Sequence, residues 1–210
     1  MADGRTRRSL IATWALGWLG VATGRVALAD DTGDARRFVG DLAQSIVTVL
    51  RDPSLTPEGR LERVGAVTAD AFDLERTARI ALGRFWKLAS PEQRAEFAGL
   101  FRSYVLASYG SRFRDYADRT LRVTGARPAD EDVVVESLVE GGATPVRLDW
   151  RLAQAGRGWL VLDVAVEGVS LLLTYRNEFA AVIERQGGAV AALLDELRRR
   201  VAAHQPPSVT

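Results

Sequence analysis

The chain has 210 residues, with 28 Lys+Arg, 27 Asp+Glu, one His and no Cys; 47% of residues are hydrophobic and 26% charged. That suits one domain or two small ones with a sizeable core, and it excludes general disorder and a strongly basic chain built to coat nucleic acid. Without Cys there are no disulfides, thiolate nucleophiles, zinc fingers or lipid-modified cysteine, and the single His204, beside a tail Gln205-Pro206-Pro207, excludes a catalytic triad or a multi-histidine metal site.

Residues 1–29 read as an export leader. Arg5, Arg7 and Arg8 precede an apolar run from Leu10 to Val21, and Ala27-Leu28-Ala29 offers the small-x-small pattern that signal peptidase accepts. Cleavage is expected before Asp30. The apolar run is about 12 residues, short of the roughly 20 that span a bilayer. A short N-terminal anchor helix is the alternative. Thr6-Arg7-Arg8-Ser9-Leu10-Ile11 resembles a twin-arginine signal, so both that route and general secretion stay open. Removing 1–29 takes away four Arg and one Asp, leaving 24 basic and 26 acidic residues, a net charge of −2. Residues 30–210 are expected to form a single domain.

Asp34 to Arg51 carries Phe38, Leu42, Ile46 and Val49 at near-helical spacing, and Asp52-Pro53 ends it. Thr56-Pro57-Glu58 opens a second helix to about Ala71: a capping Thr, Pro at the first helical position, and an acid at the positive end of the dipole. Asp73 caps a third, with Ile80, Leu82, Phe85 and Trp86 as its apolar residues. Ser90-Pro91-Glu92-Gln93 is a capping box, Ser-x-x-Gln, and the helix it opens is expected to reach about Ala117. Phe97, Leu100, Phe101, Tyr104, Val105 and Ser108 share its apolar stripe.

From Thr120 the period changes to two. Leu121 and Val123 mark a first strand, and Val133, Val135, Ser137 and Val139 a second. In the third, Val146, Leu148, Trp150 and Leu152 alternate with Arg147, Asp149 and Arg151. In the fourth, Leu160, Leu162, Val164 and Val166 are expected on one face and Val161, Asp163, Ala165 and Glu167 on the other. Gly141-Gly142 and Gly156-Arg157-Gly158 supply turns, so an antiparallel sheet of four strands is expected. A helix from about Ser170 to Arg185, stopped by Gly187-Gly188, and a last one from Ala189 to about Ala203 complete an α+β fold, with helices packed on one face of the sheet.

Motifs for chemistry are scarce. There is no phosphate loop, no Gly-x-Gly-x-x-Gly and no nucleophile elbow. Asp163, Glu167, Glu136 and Asp149 sit on neighbouring strands, where a carboxylate pair for acid/base work is conceivable; solvated side chains, some paired with Arg147 or Arg151, are the simpler reading. The apolar residues are more informative. Two groups stand out: the aromatic stripe Phe97, Phe101 and Tyr104, and the sheet face with Trp150 and Leu160. A packed core and a cavity between two layers would use the same residues, and alternation does not separate them.

Two segments add a resemblance. Ala81-Leu82-Gly83-Arg84-Phe85-Trp86-Lys87-Leu88-Ala89-Ser90-Pro91-Glu92-Gln93, followed by Glu96-Phe97 and Leu100-Phe101, is the first. Val161-Leu162-Asp163-Val164-Ala165-Val166-Glu167-Gly168-Val169-Ser170-Leu171, followed by Thr174-Tyr175-Arg176 and Phe179, is the second. Together they resemble the MlaC family, the toluene-tolerance or Ttg2 auxiliary proteins, over about residues 34–204.

The resemblance implies a periplasmic carrier whose apolar pocket holds the acyl chains of a phospholipid, or another diacyl or polycyclic lipid. It also implies shuttling between an outer-membrane lipoprotein–porin complex and an inner-membrane MCE-domain ABC transporter. A hopanoid-associated branch of the family is an alternative source of cargo. No cofactor beyond the bound lipid, no metal, no nucleic acid and a monomeric state are expected. The pocket-lining residues it implies, with their sheet partners, are Leu82, Phe85, Phe97, Phe101, Tyr104, Val105, Val133, Val135, Leu148, Trp150, Leu160, Val164, Val169 and Tyr175. Trp86 is expected to anchor the third helix, and Arg84 and Arg176 to hold the fold through carboxylates. A ligand-free adaptor and an enzyme acting on a hydrophobic substrate are the competing readings, the latter disfavoured by the missing His and Cys.

Overall fold

The computed structural model describes residues 23–110, 118–156 and 158–204. Residues 1–22 of the expected leader lie outside them; Thr23–Ala29 form the first turns of α1 (Thr23–Arg51). α2 (Pro57–Ala71) starts where Thr56 accepts a hydrogen bond from Gly59 N–H at 3.1 Å. α3 (Leu74–Leu82) starts where Asp73 accepts from Arg76 N–H at 2.9 Å. The periodicity carries α3 on to Trp86, but the helix stops at Leu82. Gly83 takes φ 58°, a left-handed value that costs glycine little, and the chain tightens into a 3-10 turn over Gly83–Lys87.

The capping box forms as its spacing requires. Ser90 Oγ accepts from Gln93 N–H at 3.2 Å, and Gln93 Oε1 accepts from Ser90 N–H at 3.0 Å. α4 (Pro91–Gly110) follows; the expected continuation to Ala117 lies outside the described residues. Trp86 is clamped to its start: Arg94 donates to the Trp86 carbonyl at 2.8 Å and lies 5.5 Å from the indole centroid.

The sheet has five strands rather than four, in the order β1 (Thr120–Ala129), β2 (Asp132–Glu140), β3 (Val146–Ala155), β4 (Gly158–Val166) and β5 (Val169–Ser170), every neighbouring pair antiparallel. β5 is two residues that turn back on Ala165 and Val166. A strand that short has no period to read.

The expected alternation of β4 is broken. A register shift between Arg151 and Leu152 leaves Leu152 opposite Val161 and Arg151 opposite Asp163, so Leu162 is an extra residue on β4. The bulge reverses the parity. Val161 joins Val164 on the helix-covered face, and Leu160, expected there, is opposite Ala153 on the other face.

α5 (Leu171–Arg185) and α6 (Val190–His204) close the fold. Two apolar cores result. One is helical: Leu82, Phe85, Phe97, Phe101, Tyr175, Phe179 and Leu197 from the 3-10 turn and α3–α6. Its rings interlock, with Phe97 and Phe101 stacked at 5.7 Å and Phe179 edge-on to both. The other is sandwiched between α1 and the sheet: Ala35, Val39 and Leu42 against Val133, Val135, Trp150, Leu152 and Val161. Arg198 and Arg200, near the end of α6, tie it to its neighbours. Arg198 bonds Glu96 of α4, and Arg200 bonds Glu178 of α5, Glu196 and the Tyr104 hydroxyl. Burial works against the Arg200 charge, yet these acceptors hold its pKa above the ordinary guanidinium value.

Candidate functional site: a cavity at the seam of two cores

The two cores do not fill the space between them. A cavity of about 370 Å³ lies at their seam, a size typical of ligand pockets and far beyond the voids of close-packed interiors. Its roof is the second half of α1 (Ala43, Ile46, Val47, Leu50) and the end of α2 (Thr68, Ala69). Its floor is the sheet (Leu121, Val139, Val146, Leu148, Trp150, Val164, Val166). Phe101, Val105 and Leu106 of α4 and Leu171, Leu172 and Tyr175 of α5 form the helical wall. Nearly all of this lining is apolar, so water inside would find few partners.

The cavity has a closed and an open end. Trp150, Leu162, Leu172, Phe101 and Tyr175 are buried. Leu121, Val139, Val146 and Val166, at the edge of the sheet where β1 begins and β4 ends, are only half-buried. Near the closed end the α2–α3 junction is stitched onto β4: Phe72 bridges Val161, and Asp73 N–H donates to the Val161 carbonyl at 3.1 Å.

The polar groups near the cavity have structural partners. Trp150 Nε1 donates to Ser137 Oγ at 3.0 Å, and Ser137 Oγ donates to the Leu148 carbonyl at 3.1 Å, which fixes the indole in the floor. Asp163 accepts from Ser170 Oγ and, at 3.0 Å, from Leu172 N–H, while Ser170 Oγ accepts from Leu173 N–H at 3.0 Å. The Asp163–Ser170 pair thus caps α5. Glu136 lies near Arg127 and Arg147, Asp149 takes a fork of two bonds from Arg147 at 2.9 Å each, and the Glu167 carboxylate accepts from Arg147 N–H. Glu136 and Asp149 stand opposite each other across the β2–β3 ladder and share Arg147, and Asp163 and Glu167 are held by Ser170, Leu172 N–H and Arg147 N–H.

Of the fourteen residues expected at the pocket, the cavity collects Phe101, Val105, Leu148, Trp150, Val164 and Tyr175. Leu82, Phe85 and Phe97 are buried in the helical core, and Tyr104 packs against it, held by Arg200. Val133 and Val135 lie beneath the middle of α1, in the filled core with Ala35, Val39 and Leu42. Leu160 is turned away by the bulge, and Val169 is 60% exposed at the sheet edge. The roof residues Ala43, Val47 and Leu50 carry no sequence signal for a pocket, and Ile46 shows only as part of the apolar stripe of α1. Arg84 pairs with Glu184, and Arg176 packs against Gly83, where a Cβ would meet its Nε at 3.0 Å.

The comparisons with known proteins agree with this geometry. A family model described as MlaC protein matches residues 41–199. The toluene tolerance protein ttg2D of Pseudomonas putida is 24% identical over 174 residues, covering 81% of this chain and 79% of that protein. The intermembrane phospholipid transport system binding protein MlaC of Haemophilus influenzae is 23% identical over 140 residues, 64% of each chain. A phospholipid-binding protein from Ralstonia solanacearum, solved in complex with a phospholipid, is 34% identical with a TM-score of 0.73, covering 81% of this chain and 98% of that one. Matched by its family model over well more than half its length, the chain belongs to the MlaC family.

Proposed function

We propose that this protein is a periplasmic phospholipid carrier that holds acyl chains in the cavity between its two cores. One observation carries the reading: a family member keeps an open, apolar cavity of about 370 Å³ where a helical layer meets a half-apolar sheet. Leaving acyl chains in water costs about 0.8 kcal/mol per methylene, so lipid does not cross an aqueous compartment unaided. A dry slot with no fuel of its own lowers that cost and still releases its cargo. The neighbouring structure with bound phospholipid and the relative named for phospholipid transport support the same chemistry.

Residues 1–29 direct export and are removed before Asp30, so α1 of the exported chain begins there. Among the described residues no helix is long and apolar enough to cross a membrane. The carrier exchanges lipid with an outer-membrane lipoprotein–porin complex and an inner-membrane MCE-domain ABC transporter. The test is lipid extraction from the protein purified from periplasm, followed by mass spectrometry. Stoichiometric phospholipid is expected. A protein that is ligand-free and takes up no phospholipid from vesicles refutes the reading.

A further inference from the structure

The strand register divides the cavity floor into rows. The row at the open end is Leu121, Val139 and Val146, paired across β1, β2 and β3. Next comes Leu148 opposite Val166, and then Trp150 opposite Val164. The row beyond, Val133, Leu152 and Val161, is packed under α1 in the filled core and does not line the cavity. The floor is lopsided. On β3 and β4 it reaches Trp150 and Val164, but on β2 it stops at Val139, and neither Ser137 nor Val135 lines the cavity. The indole accounts for the difference. Trp150 stands opposite Val135, and its Nε1 donates to Ser137 Oγ at 3.0 Å, one row nearer the open end. The ring therefore extends from β3 over β2 at Ser137, which is 1% exposed. Among the described residues buried in the sandwiched core, Trp150 alone also lines the cavity.

Resting on the carrier reading, we propose that Trp150 is the end stop of the slot and sets the length of acyl chain that the protein holds. A stop must be bulky, buried and fixed. The indole is bulky and buried, and its hydrogen bond to Ser137 fixes the ring in one orientation. Ser137 supplies the small side chain that leaves room for it, between Val135 and Val139 on the same face of β2. An antiparallel strand advances about 3.4 Å per residue, so the floor from Val146 to Trp150 is about 14 Å long. A carbon zigzag with bonds of about 1.5 Å at about 111° advances about 1.25 Å per methylene, so about eleven methylenes of extended chain lie along it. Further methylenes are stopped by the indole and stay at the mouth, where each one left wet forfeits about fourfold in affinity. Without the indole the β2 side of the floor gains Ser137 and Val135, about 7 Å or about five methylenes.

The test offers the purified protein vesicles that contain equal amounts of phosphatidylglycerols with saturated chains from octanoyl to stearoyl. Mass spectrometry reads the chain lengths bound to the protein against those left in the vesicles, with thermal unfolding run alongside. The parent is expected to discriminate against chains beyond a cutoff, by up to about fourfold per added carbon. Trp150→Ala is expected to move that cutoff about five carbons longer. Leu197→Ala, which loosens the helical core outside the cavity, is expected to leave it in place. A folded Trp150→Ala protein with the parent's cutoff overturns the proposal and leaves the carrier reading intact, as does a parent that takes all lengths alike. An equal shift in Leu197→Ala assigns the effect to general loosening and also overturns the stop. Uptake of no lipid of any length by the parent overturns both readings. Should Trp150→Ala not fold, Trp150→Leu decides, because it keeps part of the apolar bulk. A smaller shift toward longer chains is then expected, and an unmoved cutoff overturns the stop.

Discussion

Leu148→Trp is expected to block the slot. Leu148 sits in the floor between Val146 at the open end and Trp150 at the closed end, opposite Val166 across the β3–β4 ladder. An indole adds about six heavy atoms to the isobutyl group it replaces, and each excludes about one methylene of cargo at ~0.8 kcal/mol. The ceiling is about 5 kcal/mol. Leu148 is half-buried, so the ring can swing partly toward the open edge, and roughly half that cost should remain. A loss of ~2–3 kcal/mol corresponds to a drop in lipid affinity of roughly 30- to 150-fold. Leu173→Trp is the control. Leu173 is 52% exposed and outside the cavity, so the same ring there should leave uptake unchanged. The assay is extraction of phospholipid from vesicles, read by native mass spectrometry, with thermal unfolding run alongside. A folded Leu148→Trp protein that extracts lipid as well as its parent would refute the placement of cargo in this cavity.

Three further outcomes follow from particular contacts. Trp150→Phe removes the buried bond to Ser137 and part of a large side chain, at a cost of about 2 kcal/mol and a melting point lower by roughly 4–8 °C. A melting point within a degree of the parent's would show that the indole nitrogen is not needed to hold the floor. Asp132 is buried, accepting from Arg151 at 2.6 Å and lying 3.8 Å from Arg76 of α3. Asp132→Ala should cost about 2 kcal/mol by calorimetry, less than a fully buried pair because both arginines can reach water. Glu196 has its carboxyl held below the ordinary value by hydrogen bonds from Arg199 and Arg200. A depressed carboxylate stabilises the fold fully above its unfolded pKa of about 4.3, and that contribution disappears as pH falls through the lower folded value. The melting-point gap between parent and Glu196→Gln should be widest near neutral pH and close below about pH 4. A gap that stays constant across that range contradicts the ion-pair origin.

Helix starts were legible because each depends on a few adjacent residues. Thr56, Asp73 and the Ser90–Gln93 box all cap where their spacing requires. The strand pairing was legible from alternation on β3, where apolar and charged residues leave one face possible. It failed on β4 for a physical reason. Val161 and Leu162 are both apolar, so a bulge between them changes which face each occupies without changing the pattern. The 3-10 turn at Gly83 was hidden because the apolar residues beyond it still fit a helical stripe. The cavity was the hardest feature to read. Phe97 and Phe101 are one turn apart on the same stripe and stack on each other, yet only Phe101 reaches the slot. Whether a side chain meets another side chain or empty space depends on the separation of layers, which sequence period does not encode.

That separation has an identifiable cause. The middle of α1 packs directly on the sheet through Ala35, Val39 and Leu42, while its last turns, from Ala43 to Leu50, lie over the cavity. A helix pinned at its middle and propped at its end must rest on something at the far side. α2 provides the prop: the α2–α3 junction is hydrogen-bonded to Val161 on β4, and Gly65 of α2 lies so close to Leu106 of α4 that a Cβ would meet it at 3.0 Å. On the opposite wall, Asp163 caps α5 from within β4, next to the bulged Leu162. One strand thus carries the bulge, the helix cap and the α2–α3 stitch within three consecutive residues, Val161–Asp163. The helical core, interlocked through its own rings and through the bonds of Arg198 and Arg200, cannot slump into the gap without breaking those contacts. The slot is therefore held open by structure on both sides, and cargo can leave it without the fold having to collapse behind it.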